Sequence, residues 1–404
     1  MGLTDTYSFR DLQTFHDDFT LRNWIEPGEM MRYAFLNTAE FLPHAVIHRD
    51  GPVAELDEAP RDDLPRMEFR TPLGQLSLDD YVQQGPVNGV VVLHRGAIVY
   101  ERYPRMRRID KHLLMSVSKI FAGTLIGIME DRGQIDTRET VDVYLPEVCG
   151  SGWEGVSIRD VLDMTSGIDC DELSPEAYHD PDSAYYPFEE SLGLIPTYPG
   201  SRYSTWDYVA SLGRAKEPGQ AFDYTSVNTF VLSWLAEKIT NMRFSDLVSQ
   251  EVWSKIGAES DALISSSRCG AVAAHGGVVV RLRDLARFGL LFTPSRNVVS
   301  DEPVVSDRQL NQIVHGGRPE IFDRGRWGKR LIDQLAPAKP VHNSHQWDFV
   351  MPDGDFYKGG MGGQGLYISP SRDLVIAFVG TMIGERRENA MMSVSQQLSE
   401  RWPG

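Results

Sequence analysis

The sequence predicts an α+β fold: a central antiparallel sheet built from N- and C-terminal segments and flanked by helices, plus an inserted, mainly α-helical lobe. Three observations carry this. Residue runs rich in β-formers stand near both ends, NGVVVLHRGAIVYERYP (88–104) and GLYISPSRDLVIAFVG (365–380). Between about 156 and 290 the apolar spacing is mainly helical. No internal repeat or low-complexity tract interrupts the 404 residues, a length that buries a substantial core in one large domain or two lobes.

Taken in order, residues 1–80 are polar with Pro and acid clusters (GPVAELDEAPRDDLP, 51–65) and read as an N-terminal wrapping segment. The run 88–104 folds as a hairpin around His94-Arg95-Gly96. Residues 116–131 form a helix apolar on most faces, ended by Gly133. SIRDVLDMTSG (157–167) is a short amphipathic helix stopped by Gly167, and NTFVLSWLAEKIT (228–240) is a helix after a Pro218-Gly219 turn. Between them, 168–215 is rich in Asp, Tyr, Pro and Ser and reads as a functional or flexible loop region. LRDLARFGLLF (282–292) is another helix. At the end comes a hairpin turning at 369–373, then a helix over ENAMMSVSQQLSERW (388–402). The expected division is one catalytic unit in which 81–140 joins 300–404 as an α/β lobe and 141–299 forms the helical lobe.

Composition excludes several classes. The formal charge of −17 makes nucleic acid or an anionic membrane a poor partner. Three scattered cysteines with no C-x-x-C pair argue against a disulfide framework or a cysteine zinc site, and fit a cytoplasmic protein. The opening MGLTDTYSFRDLQTFHDDFT has no apolar h-region, so no secretory signal is expected. Gly2 and Thr6 match the short myristoylation pattern without a second anchor beside them.

The chemistry starts at Ser116-Val117-Ser118-Lys119. Only eight residues are lysines, and Lys119 stands inside an apolar helical run. Positions i and i+3 share a helix face, so the Lys119 amine can meet the Ser116 hydroxyl. An apolar setting disfavours the ammonium and makes the amine a base for an activated nucleophile. The competing reading is a snorkelling lysine beside a capping serine. Tyr224, on a turn before a helix, can act as general acid and base; near two lysines its phenol is expected to ionise below the ordinary value of about 10. Lys358-Gly359-Gly360-Met361-Gly362-Gly363-Gln364 lets a strand backbone approach a ligand, with Lys358 adding charge. A backbone N–H there, with that of Ser116, would form an oxyanion hole. The G-x-G-x-x-G within 360–365 precedes a strand, which excludes a dinucleotide site.

S-x-x-K, Y-x-S and K-x-G before a hairpin, in this order, resemble the serine β-lactamase/penicillin-binding-protein-like superfamily. More narrowly, the pattern resembles its class C-type branch with family VIII carboxylesterases and 6-aminohexanoate-dimer hydrolases. Stretches such as KHLLMSVSKIFAGTLIGIMEDRGQID (111–136), YTSVNTFVLSWLAEKIT (224–240) and GGQGLYISPSRDLVI (362–376) carry the likeness. The resemblance implies a β-lactamase/transpeptidase-like fold, with Ser116 as acylated nucleophile, Lys119 as its base and Tyr224 as proton shuttle. It implies an oxyanion hole from the Ser116 and Met361 N–H groups. Ser226 falls where class C enzymes carry the Asn of Tyr-x-Asn, and Lys358 where β-lactamases have the Lys of Lys-Thr-Gly. Ser226, Lys358, Gly359, Gly360 and Trp347 (in HQWDF) are the candidate substrate-binding residues, with core packing as the other reading of Trp347.

Other motifs fail. There is no G-x-S-x-G and no H-E-x-x-H, and His44 and His48 lack a third ligand. His275 reads as structural, and Asp353-Gly354-Asp355 as a turn. The expectation is an enzyme without metal or cofactor: a serine hydrolase of amides or esters of small carboxylic acids. Carboxylesterase, β-lactamase-like and transacylase activities are the alternatives, and a binding pseudo-enzyme is the non-enzymatic one. Its partner is a small-molecule substrate, with a homodimer left open.

Overall fold

Two sequence-distant hairpins meet in one sheet in the computed structural model, which describes residues 7–200, 204–382 and 390–402. The sheet has seven antiparallel strands. Their order is Ala97–Arg102, Val87–His94, Leu374–Gly380, Gln364–Ser369, Phe356–Gly360, Trp347–Val350 and His342–Ser344. The joint is central: Val91 pairs with Ala377 and Val92 with Ile376. Alternate side chains leave opposite faces, and the core divides accordingly. Val91, Leu93, Val375 and Ala377 pack into the larger core with Leu285 and Phe288 of the helix Leu282–Leu290. Val90, Val92, Ile376 and Phe378 pack with Val394 and Leu398 of the helix Ala390–Glu400. Cover on both faces explains why these strands read as unbroken apolar runs.

A smaller antiparallel sheet lines up His44–Ile47, Ala262–Ser265, Val278–Arg281 and Lys111–Leu113. Through it the N-terminal segment is tied to the helical region, and Trp24 adds a bond from its indole N–H to the Leu194 carbonyl at 3.0 Å. The helix Lys119–Asp131 is buried from Lys119 to Met129 and packs on Ser226–Thr240. A helix buried on all sides needs apolar residues all round, which is the composition this one has.

Two boundaries differ from expectation by more than two residues. The predicted helix 116–131 opens with a 3₁₀ turn, Met115–Ser118, and becomes α-helical at Lys119. The short helix is Ile158–Leu162, because Asp163 leaves the helix to accept from Arg159 and from the His345 N–H. The last helix is described from Ala390, so residues 388–389 of its predicted span, like Gly2 and Thr6, lie outside the described residues. No helix among the described residues is long and apolar enough to cross a membrane.

Candidate active site

The strand Lys111–Leu113 delivers the chain into the 3₁₀ turn, where Met115 takes a left-handed φ of +46° that non-glycine residues seldom adopt. Ser116 follows it on the wall of a cavity of about 630 Å³. The strand Phe356–Gly360 comes up against this turn. A Cβ at Gly360 would stand 2.5 Å from the Leu114 carbonyl oxygen and 3.2 Å from the Ser116 nitrogen, so the approach requires glycine.

Side chains at i and i+3 eclipse in a 3₁₀ turn, which brings Lys119 over Ser116. Lys119 is fully buried, and its Nζ donates to Ser226 Oγ (2.8 Å), the His275 carbonyl oxygen (3.0 Å) and Ser116 Oγ (3.1 Å). Its pKa is lowered to about 8, chiefly by burial and with help from the Lys358 charge, while Glu172, Asp348 and Glu189 oppose. The surroundings are fixed in turn. Glu172 accepts the Ser226 N–H at 2.5 Å, in the helix's first turn where backbone donors lack partners. His275 Nε2 lies 3.0 Å from Glu189 Oε1.

Tyr224 lines the same cavity, its hydroxyl accepting from Lys358 Nζ at 3.1 Å. The ammonium nitrogens of Lys119 and Lys358 lie 5.0 and 4.6 Å from its ring centroid. Lys358 is fully buried and bonded to Asp348 at 2.5 Å, and Asp348 also accepts the Gly359 N–H at 2.9 Å. Here the sequence expectation is overturned. Burial, then the Asp348 and Glu172 carboxylates, raise the Tyr224 pKa well above the ordinary phenol value. Asp348 offsets the Lys358 charge that was expected to lower it. Tyr224 therefore rests as a neutral phenol, a proton donor and not a resident base. A serine beside an amine that loses its proton near pH 8, with a phenol that can donate on the same cavity, is equipped for nucleophilic acyl transfer.

A family model described as Beta-lactamase matches residues 78–382. The chain belongs to the beta-lactamase family. A 6-aminohexanoate-dimer hydrolase from Paenarthrobacter ureafaciens is 32% identical over 362 residues, spanning 88% of this chain and 86% of that one. Among solved structures, a protein assigned as a 6-aminohexanoate-dimer hydrolase from Bacillus anthracis aligns with TM-score 0.77 and 21% identity over 95% of this chain and 98% of that one. EstCE1, a hydrolase with promiscuous acyltransferase activity, aligns at TM-score 0.58 and 14% identity over 79% and 95%. The fold is the β-lactamase/transpeptidase-like one, and this family member is a serine hydrolase.

Against this family frame, Ser116, Tyr224, Gly359, Gly360 and Met361 line the large cavity. Three other candidates are placed differently from expectation. Trp347 is no pocket residue: it is buried and packs its ring 4.6 Å from Phe356 and 5.2 Å from Phe292. Lys358 lies beneath Tyr224, off the cavity wall, because its charge is spent on Asp348. Ser226 holds Lys119 and is likewise off the large cavity's wall. His275, read as structural, contributes its carbonyl to Lys119, while His44 and His48 form no metal cluster among the described residues.

Sequence reasoning missed Glu172, Asp348 and the cavity wall formed by Trp327, Arg330 and Leu331. Asp348 had a legible signal. A lone carboxylate between Trp347 and Phe349 in a buried strand needs a cation, and the register Phe349 to Tyr357 sets Asp348 opposite Lys358.

Proposed function

We propose that this protein hydrolyses an amide or ester bond of a small carboxylic-acid derivative through an acyl-enzyme on Ser116. Neutral Lys119 takes the Ser116 proton as Oγ attacks the carbonyl carbon. The Ser116 and Met361 N–H groups hold the oxyanion. Tyr224 protonates the departing amine or alkoxide and is reprotonated from Lys119. Water then attacks the ester carbon and frees Ser116.

The observation that carries this reading is the fully buried Lys119 amine 3.1 Å from Ser116 Oγ. The relative named for 6-aminohexanoate dimer supports an amide of that type as substrate. Carboxylesterase activity is the second reading, favoured by the apolar wall of Pro27, Leu173, Leu331 and Met392. Transacylation is the third, after the activity printed for EstCE1. Three free thiols, Cys149, Cys170 and Cys269, support a cytoplasmic location.

The test is incubation with p-nitrophenyl acetate, an aminohexanoate dimer and a cephalosporin, followed by intact mass. An acyl adduct absent from Ser116→Ala supports the scheme. Neither turnover nor adduct with any activated ester would sink it.

A further inference from the structure

Ser116 borders a second, smaller cavity of about 60 Å³, which shares Met361 and Glu172 with the large one but not Tyr224. Its wall includes Ser226, Ser265, His275 and Gly276. Two of these carry unsatisfied polar atoms. Ser265 Oγ and His275 Nδ1 have no hydrogen-bond partner, in residues only 2% and 5% exposed. The Glu189 carboxylate beside His275 Nε2 favours the proton on that nitrogen, which leaves Nδ1 as an acceptor. Buried polar atoms of this kind require a partner. At about 30 Å³ of liquid per water molecule, the cavity has room for roughly two, with the polar contacts they need.

From this geometry, and resting on the acyl-enzyme reading above, we infer that the small cavity seats the water that deacylates Ser116. Tyr224, which serves the leaving group, lines the large cavity and not the small one, so substrate and leaving group use the large side. A water in the small cavity stays beside the ester carbon throughout, held by Ser265 and His275. In the step, the water oxygen bonds to the acyl carbon while its proton passes to Ser226 Oγ. Ser226 passes its own proton to neutral Lys119, 2.8 Å away. Collapse of the tetrahedral intermediate breaks the bond from carbon to Ser116 Oγ, and Lys119 returns the proton to Ser116. Acid and free enzyme result, with no co-reactant beyond water.

Gly276→Ala tests this. Gly276 lines the small cavity, its φ is ordinary, and an added Cβ would meet only the Met115 backbone at 3.9 Å, so the methyl takes up cavity space without a clash. The measurement is stopped-flow turnover of p-nitrophenyl acetate by the full chain, with intact mass of quenched samples. The burst rate should stay within about twofold of wild type while deacylation falls by about tenfold or more, and acetyl-enzyme accumulates. Ser265→Ala should give a smaller shift in the same direction. Unchanged deacylation in both variants overturns the assignment. A burst that slows more as the acyl chain lengthens also overturns it, marking the cavity as an acyl pocket. No adduct on wild-type Ser116 overturns the acyl-enzyme reading itself, and this inference with it.

Discussion

The Ser226 hydroxyl lies 2.8 Å from Lys119 Nζ, nearer than the Ser116 hydroxyl at 3.1 Å. With the His275 carbonyl as a third contact, the amine is fixed from three sides before any substrate arrives. Ser226→Ala removes an acceptor that stabilises the ammonium, so the Lys119 pKa should fall and the amine lose its aim. We expect kcat/KM to drop by about 10- to 100-fold and its pH midpoint to move downward. A drop with an unmoved midpoint would mean that Ser226 does not act through Lys119.

Burial sets Lys119 near pKa 8, against an ordinary 10.5. The neutral amine is the base, so kcat/KM should rise with pH through about 8 and level off above, losing about tenfold per unit below. Stability follows the same group. The unfolded lysine titrates near 10.4, so between about 8 and 10.4 the unfolded chain binds the extra proton and the contribution of Lys119 to stability rises with pH. Lys119→Met should therefore be inactive yet more stable at pH 7, by roughly 1–3 kcal/mol. The gain should shrink toward pH 10, as urea denaturation at the two pH values would show.

Asp348 and Lys358 form a fully desolvated pair whose product is a neutral, hydrogen-bonded Tyr224. Removing one member strands the other's charge. Asp348→Ala should cost about 3–5 kcal/mol, whereas Asp348→Leu with Lys358→Met should come close to wild-type stability. Both should lose activity: the double variant removes the Lys358 amine that donates to Tyr224, and the single variant removes the carboxylate that holds that amine in place. A single-variant cost below about 1 kcal/mol would contradict the buried pairing.

The fold and the nucleophile were legible because they rest on local pattern. Two apolar hairpins specify their strands, and a lysine three residues after a serine in an apolar run is a local anomaly. What escaped depends on three-dimensional neighbours. The Tyr224 pKa was misjudged because Lys358 was counted and Asp348, ten residues away on the next strand, was not. Glu172 lies in an acidic, aromatic stretch where nothing separates it from Asp169 or Asp171. Its selection comes from the helix start it meets at Ser226.

The two tryptophans make that distinction measurable. Trp327 lines the large cavity with its ring centroid 5.1 Å from that of Tyr224, while Trp347 fills the core. Trp327→Ala should raise KM severalfold at little cost in stability. Trp347→Ala should cost about 3–5 kcal/mol with KM unchanged in the folded fraction. Thermal melts beside substrate titrations separate the outcomes, and the reverse pattern would reassign the pocket wall.

Gly360 joins the sheet to the nucleophile. Its strand meets the 115–118 turn so closely that a methyl group would overlap the Leu114 carbonyl oxygen at 2.5 Å. Both contacts are backbone, so neither can swing aside, and the strand or the turn must shift. Overpacking of this kind costs about 1–3 kcal/mol, which a core of this size tolerates. A displacement approaching 1 Å at Ser116 or Met361 is worth about 100-fold in rate, because the nucleophile and the proposed oxyanion donors sit on the two halves being separated. Gly360→Ala should therefore fold and lose kcat out of proportion to its stability. Gly213→Ala, where a Cβ meets nothing within 4 Å, should change neither. Burst kinetics on p-nitrophenyl acetate, read beside the melting curves, decide it: wild-type acylation by Gly360→Ala would mean that the turn is not held by this strand.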